Sequence, residues 1–304
     1  MKIAVIMSTY NGEKYIEEQL NSIIKQDNVD VDIYIRDDGS VDNTINILKS
    51  FSQKYTNIFI EYGKNVGFRK SFINKLKQVS KEYDLYAFCD QDDFWENNKL
   101  YKAELCIKEH AYTEKPVLYY SNLKICDEQL NVKEITKLHK RKQTIESIIL
   151  RRSIAGCTMV FNHELFKVLL DAEITDDMLV RGHDSFLITL CYAIDGDVIC
   201  DSNAYIKYRK HNNNTSISTN TFCGRIRKEY EMLLKKKGKE SKIAKEILNK
   251  WNMKISNKNK EVLEKIAESN KLKNRLKMFF SFRYRTGNFI LTIIGKIKII
   301  FGLL

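Results

Sequence analysis

Residues 84–95 read DLYAFCDQDDFW, and this stretch decides the fold more than any other. An apolar run typical of a β-strand leads directly into three carboxylates within four positions, Asp90, Asp92 and Asp93. Like charges this close resist ionising together, so a positive group is expected beside them. Ligands of open parallel sheets bind at the carboxyl ends of the strands, which is where these side chains stand. The stretch therefore predicts a buried strand that ends at a functional site.

Strand and helix patterns alternate through the rest of the first half of the chain. Three more apolar runs read as strands: KIAVIMS (2–8), VDIYIR (31–36) and NIFIEY (57–62). Four segments have the apolar spacing of helices: 13–26, 43–51, 70–79 and 97–109. Asp42 stands where the N-cap of the second helix is expected. This order predicts an α/β fold with an open, mainly parallel sheet and covering helices.

The polar clusters of this half fall at predicted strand ends. Asn11 follows the first strand together with Thr9 and Tyr10, and DDGS (37–40) follows the second. With the three carboxylates after the fourth strand, they are expected to meet at one rim of the sheet. For a single cluster, an ordinary Asp and Gly turn is an alternative explanation.

The second half predicts a mixed continuation of the sheet. Its strand patterns are 117–127, 156–162, 197–201 and 204–211. Its helical patterns are 163–171 and 185–194, and the polar residues 212–220 predict a loop after the last strand.

A hard divalent cation, Mg²⁺ or Mn²⁺, would relieve the crowding of the carboxylates. Such ions take one or two carboxylates together with phosphate oxygens and water. The sequence has no GxxxxGK, and no GxGxxG follows the first strand, which argues against P-loop and dinucleotide sites. Arg69, near the start of the third helix, could reach a diphosphate. A solvated helix start is the alternative for this arginine.

Several stretches in order resemble inverting glycosyltransferases of family 2, which have a GT-A fold, a Rossmann-like mixed sheet with covering helices that binds nucleotide-diphospho-sugars. They are VIMSTYNGEKYIEEQLNSI (5–23), IRDDGSVDNT (35–44), NVGFRKSF (65–72) and CDQDDFW (89–95). Later stretches resemble the rhamnosyltransferase-like branch, which builds bacterial surface polysaccharides: SNLKICDEQLNV (121–132), GCTMVFNHELF (156–166), GHDSF (182–186) and YRKHNNNTS (208–216). The resemblance covers roughly residues 1–212.

The resemblance implies roles for the donor side of the site. Thr9 and Tyr10 would flank the nucleotide base, and Asp38 would accept a hydrogen bond from uracil or thymine. Asp90 would face the ribose or the metal, and Asp92, the second Asp of the DXD motif, would coordinate the Mn²⁺ or Mg²⁺ ion. Asn11 and Arg69 complete the expected set of residues that bind the nucleotide-sugar.

The resemblance also implies an acceptor side. Asp184 matches the general base that deprotonates the acceptor hydroxyl, and a helix N-cap is its alternative role. His183 stands where relatives have Glu, and Asn122 where many have Asp, so the acceptor pocket departs from the usual pattern. Trp95 is expected to form a wall of that pocket, with core packing as the alternative. His211 is a candidate metal ligand, although a histidine in a polar loop often has no such role.

Charge is distributed unevenly along the chain. Residues 222–304 carry 22 Lys and Arg against 7 Asp and Glu, whereas residues 1–221 carry 29 against 32. The final apolar run, 289–304, would span about 24 Å as a helix at ~1.5 Å per residue. This is short of the ~30 Å hydrocarbon core of a membrane. We therefore expect a helix that lies on an anionic membrane surface, with docking onto the catalytic domain as the alternative.

The cysteines indicate a reducing compartment. The chain has seven, with no CxxC pair, and its first residues lack the pattern of a signal peptide. We therefore expect a cytoplasmic protein that is peripheral on the inner face of the cell membrane.

These observations predict a GT-A domain in residues 1–221 and a helical, basic, membrane-associating region in residues 222–304. The expected activity is metal-dependent, inverting transfer of a sugar, for example rhamnose, from a UDP- or dTDP-sugar to a lipid-linked cell-surface glycan. A non-catalytic subunit that scaffolds a membrane assembly complex is the alternative function. The basic tail suggests nucleic acid, but the mildly acidic body has no matching motif, so no nucleic-acid partner is expected.

Overall fold

The computed structural model describes residues 1–79, 82–110, 114–151, 154–211 and 238–304. The strands are β1 Lys2–Thr9, β2 Asp30–Asp37, β3 Ile58–Tyr62, β4 Leu85–Cys89, β5 Phe94–Trp95, β6 Val117–Cys126, β7 Val132–Ile135, β8 Val160–Asn162 and β9 Asp197–Arg209. The helices are α1 Ile16–Ile24, α2 Thr44–Lys54, α3 Phe68–Leu76, α4 Lys99–His110, α5 Ile145–Leu150, α6 His163–Leu170, α7 His183–Ala193, α8 Lys239–Trp251, α9 Asn257–Ala267, α10 Leu272–Phe280 and α11 Phe289–Ile300. Short 3₁₀ helices cover Leu138–Lys140, Gly156–Thr158 and Asn252–Lys254.

The strands form one mixed sheet in the order β3-β2-β1-β4-β8-β6-β9-β5, with β7 paired to β6. The first four strands in chain order pair in parallel, as predicted from the β-α alternation. The strand β8 then runs antiparallel to both β4 and β6, whereas β9 runs parallel to β6. This arrangement confirms the predicted mixed α/β sheet.

Both faces of the central strands are buried. Ile3, Val5 and Met7 of β1 belong to one hydrophobic core, while Ala4 and Ile6 belong to the other. Because side chains alternate across a strand, a strand covered on both sides needs apolar residues at every position. This is the physical reason for the continuous apolar runs.

Several element boundaries differ from the predictions. The last strand is one element, Asp197–Arg209, rather than two, and residues 156–158 form a 3₁₀ helix rather than part of a strand. Asn43, not Asp42, occupies the N-cap position of α2, but its side chain makes no capping bond. The side chain of Asp42, one residue earlier, accepts the backbone N–H of Thr44 at 3.0 Å. The short elements β5, β7 and α5 lack a clear periodic pattern and were not predicted.

The C-terminal helices pack against the body rather than apart from it. Trp251 is 2% exposed and belongs to the same core as Phe186 of α7, with 5.9 Å between the two ring centroids. The indole N–H of Trp251 donates to the carbonyl of Val168 at 2.8 Å. The expected boundary at residues 221/222 and the expected loop 212–220 lie outside the described residues.

In the described parts of the chain, none of the helices is both long enough and apolar enough to cross a bilayer.

Candidate active site

The candidate site lies where the ends of several elements meet. The register pairs Thr9 at the end of β1 with Asp37 at the end of β2, and Met7 with Cys89 at the end of β4. These strands therefore finish at one edge, as the sequence predicted. The start of α7 and the end of β9 bring Asp184 and His211 to the same edge, where both interact with the carboxylates after β4.

Three partly exposed carboxylates form the electrostatic centre of the site. Burial raises the pKa of Asp90 to about 7, and the charges of Asp92 and then Asp184 add to the effect. Asp184 lies far along the chain from the other two, so only the fold brings its charge to bear on Asp90. The repulsion expected within DQDD is present and extends to a second chain segment, which carries Asp184.

Asp93 lies beneath the other carboxylates. It is fully buried, and its Oδ1 accepts the backbone N–H of Arg209 at 3.1 Å. Its Oδ2 is buried without a hydrogen-bond partner among the described residues. Burial, followed by the charges of Asp92 and Asp90, raises the pKa of Asp93 well above its usual range.

The side chains of Asp90, Asp93 and Cys157 have potential metal-ligand atoms within 4.8 Å of one another. An unsatisfied buried carboxylate oxygen beside a second crowded carboxylate fits a divalent cation with oxygen ligands. Burial raises the pKa of the Cys157 thiol well above its usual range, which keeps the thiol protonated and a poor ligand for such an ion.

The two residues predicted to bind metal, Asp92 and His211, are in direct contact. His211 Nε2 lies 2.7 Å from Asp92 Oδ2, and the imidazole ring packs 4.9 Å from the ring of Tyr15. Arg209 holds this segment in place because its Nε donates to the carbonyl of Asp92 at 2.9 Å and its guanidinium lies over Tyr15. Arg209 also forms an ion pair with Glu18.

Asp38, directly after β2, is hydrogen-bonded to other residues of the protein. Asp38 is 1% exposed, and it accepts hydrogen bonds from Arg36 at 2.5 Å and from the N–H groups of Val66 and Gly67 at 2.9 and 2.8 Å. These contacts tie the end of β2 to the loop before α3. Sequence reasoning assigned Asp38 to a pyrimidine ring and missed Arg36, whose position two residues earlier on the same strand was the available signal.

The three residues predicted to bind the nucleotide at the end of β1 differ in exposure. Thr9 is fully buried and its hydroxyl donates to Asp37 Oδ2 at 2.9 Å, so its side chain supports the neighbouring loop. The Tyr10 ring is 47% exposed. Asn11 has a positive φ of 47°, and its Oδ1 accepts the N–H of Val41 at 2.9 Å. Of these three side chains, Tyr10 is the one that offers a large surface to a ligand.

Gln91, in the middle of DQDD, is a site residue that sequence reasoning missed. Its Oε1 accepts the N–H of Tyr10 at 2.8 Å, and its Nε2 donates to the carbonyl of Tyr10 at 3.1 Å. A Cβ at Gly12 would lie 2.4 Å from Gln91 Oε1, so a larger residue at this position would displace the Gln91 side chain. The pair joins the loops after β1 and β4 and fixes the backbone that carries the Tyr10 ring.

Asp184 lies in the first turn of α7 and is partly exposed. Its Oδ1 accepts the N–H of Ser185 at 2.7 Å. Gly182 has φ of +119°, and a Cβ there would lie 2.3 Å from Asp184 Oδ1. Glycine therefore provides both the backbone conformation and the space that this carboxylate requires.

The expected acceptor residues are more deeply buried than predicted. Trp95 is fully buried, with the ammonium of Lys99 3.5 Å from its ring centroid, so the expectation that it forms a pocket wall is corrected to core packing. His183 is 5% exposed and stacks on Phe72 at 4.2 Å. Burial lowers the pKa of His183 to about 3, and the charge of Arg69 contributes.

Two other predicted residues have identifiable partners. Arg69 donates to the carbonyl of Val180 at 3.1 Å and is half-buried between α3 and the segment before α7. Asn122 is 1% exposed, and its side chain bonds the carbonyl of Ser202 at 2.7 Å and the His139 ring at 3.0 Å. Both residues therefore connect the site to neighbouring segments.

Comparison with known proteins gives the family. The sequence profile of "Glycosyl transferase family 2" matches residues 4–169. The dTDP-rhamnosyl transferase RfbG of Shigella flexneri is 33% identical over 220 residues, which cover 68% of this chain and 72% of that protein. The family profile spans the strand ends β1, β2 and β4 that build the candidate site.

Solved structures share the fold. Staphylococcus aureus TarS 1–349 in complex with UDP-GlcNAc superposes with a TM-score of 0.62 at 23% identity, covering 92% of this chain and 74% of that TarS fragment. A mannosyltransferase from Pyrobaculum calidifontis in complex with GDP-Man and Mn²⁺ gives 0.50 at 15% identity, covering 97% and 86%. These likenesses confirm the predicted GT-A fold. The chain belongs to glycosyl transferase family 2 and is a glycosyltransferase of the rhamnosyltransferase-like kind.

Proposed function

We propose that the protein is a metal-dependent, inverting glycosyltransferase that moves a sugar, with rhamnose as the first candidate, from a dTDP- or UDP-sugar. The acceptor is a hydroxyl of a lipid-linked cell-surface glycan at the inner face of the cell membrane. The observation that carries the proposal is the juxtaposition of Asp184 with Asp90 and Asp92, in which the charge of one segment alters the ionisation of the other.

In this reaction Asp184 accepts the proton of the acceptor hydroxyl. Gly182 leaves room for its carboxylate, and the N–H of Ser185 holds its Oδ1 at 2.7 Å. A carboxylate of ordinary pKa near ~4 is a weak base, so proton transfer must accompany departure of the diphosphate. Attack from the side opposite the diphosphate inverts the anomeric centre.

Asp90, Asp92 and His211 would hold the cation, with the buried Asp93 behind them. A bound Mg²⁺ or Mn²⁺ ion would neutralise charge on the nucleoside diphosphate as it leaves. The crowded carboxylates support this assignment, because burial and then the charges of Asp92 and Asp184 raise the pKa of Asp90. It also agrees with the Pyrobaculum mannosyltransferase, which was solved with Mn²⁺ bound.

The donor assignment rests on similar proteins. The most informative curated relative is described as a dTDP-rhamnosyl transferase, and TarS has been solved with UDP and with UDP-GlcNAc. Both nucleotides carry a pyrimidine. In this chain the exposed Tyr10 ring is suited to stack on the base. Asp38 would fix the loop beside the base, and a carboxylate lone pair not used by Arg36, Val66 or Gly67 would accept a hydrogen bond from the pyrimidine.

Replacing Asp184 with Asn tests the chemistry. The amide keeps the shape and the contact with Ser185 but cannot take a proton, so transfer should fall by ~10²–10⁴-fold. Nucleotide binding, measured by calorimetry, should be retained, because the carboxylate acts on the acceptor hydroxyl rather than on the nucleotide. Asp171→Asn, at an exposed acid paired with Lys254, is the matched control. A variant that keeps most of its rate would remove Asp184 from this role.

A screen of nucleotide-sugars tests the donor. Any ligand that prefers the native state raises the melting temperature by mass action. We expect dTDP-rhamnose or a UDP-sugar to do so with Mn²⁺ or Mg²⁺ and to lose the effect in EDTA. Equal stabilisation by GDP- and ADP-sugars would contradict pyrimidine selection. Binding without turnover towards any lipid-linked acceptor would instead favour the scaffold alternative.

A further inference from the structure

The C-terminal helices present an apolar surface that the fold leaves exposed. We define the exposed apolar surface as the outer sides of α10 and α11, the residues 281–288 between them and Phe301 directly after α11. Six of its large apolar side chains are between 57% and 79% exposed: Leu272, Phe280, Phe282, Phe289, Ile290 and Phe301. The opposite side of α11 is docked, because Ile299 is buried in the core and Gly295 packs against Leu150 of α5. The surface is therefore held rigidly by the body.

The charge of this surface is entirely positive. Residues 269–304 carry eight Lys and Arg and no Asp or Glu. The side chain of Arg285 has no carboxylate within ion-pair distance among the described residues, and its guanidinium lies 4.4 Å from the ring centroid of Phe282. A cation without an acidic partner beside exposed aromatics is suited to an anionic, amphipathic ligand.

A second basic segment from the catalytic body joins this surface. The segment 137–142, KLHKRK, has four Lys and Arg and no acid. The backbone N–H of Lys142 donates to the carbonyl of Thr286 at 3.0 Å. Gly287 has φ of +78°, and a Cβ there would lie 2.8 Å from the Lys142 nitrogen, so glycine permits this close approach. The sequence does not predict this contact, because Lys142 and Thr286 are 144 positions apart.

A cavity of about 710 Å³ opens between the two segments. Its lining combines Lys142 and Arg285 with Phe289, Ile293 and Ile297. Lys296 also lines it, but its ammonium is directed to carbonyls at the end of α10, including those of Met278 and Ser281 at 2.8 Å. Lys296 therefore fixes α11 to α10 and leaves Lys142 and Arg285 as the cations available to a ligand.

We propose that this cleft is a binding site for an anionic phospholipid of the membrane surface. Lys142 and Arg285 bind the phosphate of the headgroup, and Phe289, Ile293 and Ile297 contact the acyl chains. The inference rests on the proposed membrane association and deepens it, because it adds a headgroup site built from the catalytic body. A second copy of the chain is a poorer occupant, since two such surfaces would bring like charges together.

The same segment leads towards the acceptor side of the active site. The His139 ring contacts Asn122, and the N–H of Leu138 donates to Asn122 Oδ1 at 2.7 Å. Lipid bound at Lys142 would thus hold the membrane beside the segment that supports the expected acceptor pocket. This arrangement suits an acceptor that arrives on a lipid carrier.

Flotation of the full-length protein with vesicles tests the site. Wild type should bind phosphatidylcholine vesicles containing phosphatidylglycerol and bind pure phosphatidylcholine weakly. Lys142→Glu with Arg285→Glu should lower binding by more than ~25-fold, about fivefold for each cation removed near the surface. The matched control is Lys25→Glu with Lys54→Glu, which reverses two charges at exposed positions at the ends of α1 and α2. These helices pack on the opposite face of the sheet from α10 and α11.

Phe289→Ser with Ile293→Ser should lower binding at both low and high salt, because the apolar contribution is not screened. Met253→Ser, at a side chain that is 97% exposed elsewhere, is its control. Melting temperature and nucleotide affinity are measured for every variant. A variant that loses lipid binding but still binds the nucleotide is defective in this site alone. Loss of both lipid binding and nucleotide binding would indicate misfolding. In that case the milder variants Lys142→Gln and Arg285→Gln decide whether these two side chains bind lipid.

Two results would overturn the proposal. One is equal binding of wild type and the charge variants to phosphatidylglycerol vesicles. The other is a concentration-dependent dimer that Phe289→Ser abolishes while vesicle binding is absent, which would make this surface an interface between copies. Failure of either kind would leave the sugar-transfer test with Asp184→Asn unaffected.

Discussion

At the scale of single residues, three carboxylates dominate the site: Asp90 and Asp92 after β4, and Asp184, far along the chain, on α7. Asp90 is the most informative, because burial and the charges of Asp92 and Asp184 raise its pKa to about 7. Near neutral pH the protein therefore keeps this group only partly ionised until a compensating charge arrives. Crowding of this kind is costly for stability and is retained where a ligand relieves it.

Asp92→Asn should abolish transfer with little change in the fold. The variant removes one charge from the cluster and weakens the contact with His211, while the amide keeps the shape. We expect at least ~100-fold loss of rate, because metal-assisted charge stabilisation is worth several kcal/mol. The melting temperature should be unchanged or slightly higher. Asp177→Asn, at an acid paired with Lys242 on the surface, should behave as wild type. Wild-type turnover by Asp92→Asn would disprove the metal role.

His183 gives a prediction about pH. Burial lowers its pKa from 6.5 to about 3, so on acidification the unfolded chain binds a proton before the folded protein does. Stability from this group is complete above the unfolded pKa and is lost as pH falls below it. Between about pH 7 and pH 5 this loss is ~2 kcal/mol. His183→Phe should remove that part of the pH dependence, measured by urea unfolding at the two pH values. Identical slopes for both proteins would mean that His183 titrates normally.

At the scale of elements, the loops at the rim are held by side chains from their neighbours. Gln91 joins the loops after β1 and β4, and Asp38 with Arg36 joins β2 to the loop before α3. Loops fixed in this way hold their substrate-binding groups in place, so little conformational entropy is lost when the substrate binds.

A double-mutant cycle tests the clamp between Gln91 and Tyr10. Gln91→Ala removes two hydrogen bonds that orient the Tyr10 backbone, so nucleotide affinity should fall roughly tenfold at ~0.5–1.5 kcal/mol each. Gly12→Ala displaces the Gln91 side chain and should cause a similar loss. Because both act through one contact, the double variant should be no worse than either single one. Additive losses, measured by calorimetry with the nucleotide, would refute the shared mechanism. Gln129→Ala is an exposed control.

At the scale of the whole molecule, one sheet separates two hydrophobic cores, and the C-terminal helices complete one of them. Ile247, Trp251, Leu263 and Ile299 belong to the same core as Phe186 of α7. The predicted helical region 222–304 is thus continuous in packing with the body over its described part. The exposed apolar surface proposed to bind lipid is the outer side of this region.

Trp251→Ala tests this continuity. Removing a large buried side chain should destabilise the protein by ~3–5 kcal/mol. If the body and the helices unfold together, one transition should shift as a whole, with circular dichroism and tryptophan fluorescence coinciding. Met253→Ala, two residues away and 97% exposed, should have little effect. Two separate transitions, with nucleotide binding unchanged after the first, would show that the helices are an independent unit.

The sequence by itself determined the sheet and the position of the rim. Strands buried on both faces need unbroken apolar runs, and parallel strands joined by helices bring their carboxyl ends to one edge. From DLYAFCDQDD and the two clusters upstream, these local rules sufficed to indicate the edge at which Asp90 and Asp92 lie. The motifs around Asp184 and His211 were recognised through a resemblance, because spacing alone does not relate segments so far apart.

Only the tertiary structure decided which way each side chain faces and what it contacts. Trp95 follows the carboxylates directly, yet the pairing of β5 with β9 turns it into the core. The bonds of Gln91 to Tyr10, the contact of Asp92 with His211 and the meeting of Lys142 with Thr286 all join distant segments. Such contacts depend on the packing of whole elements, which local periodicity does not encode.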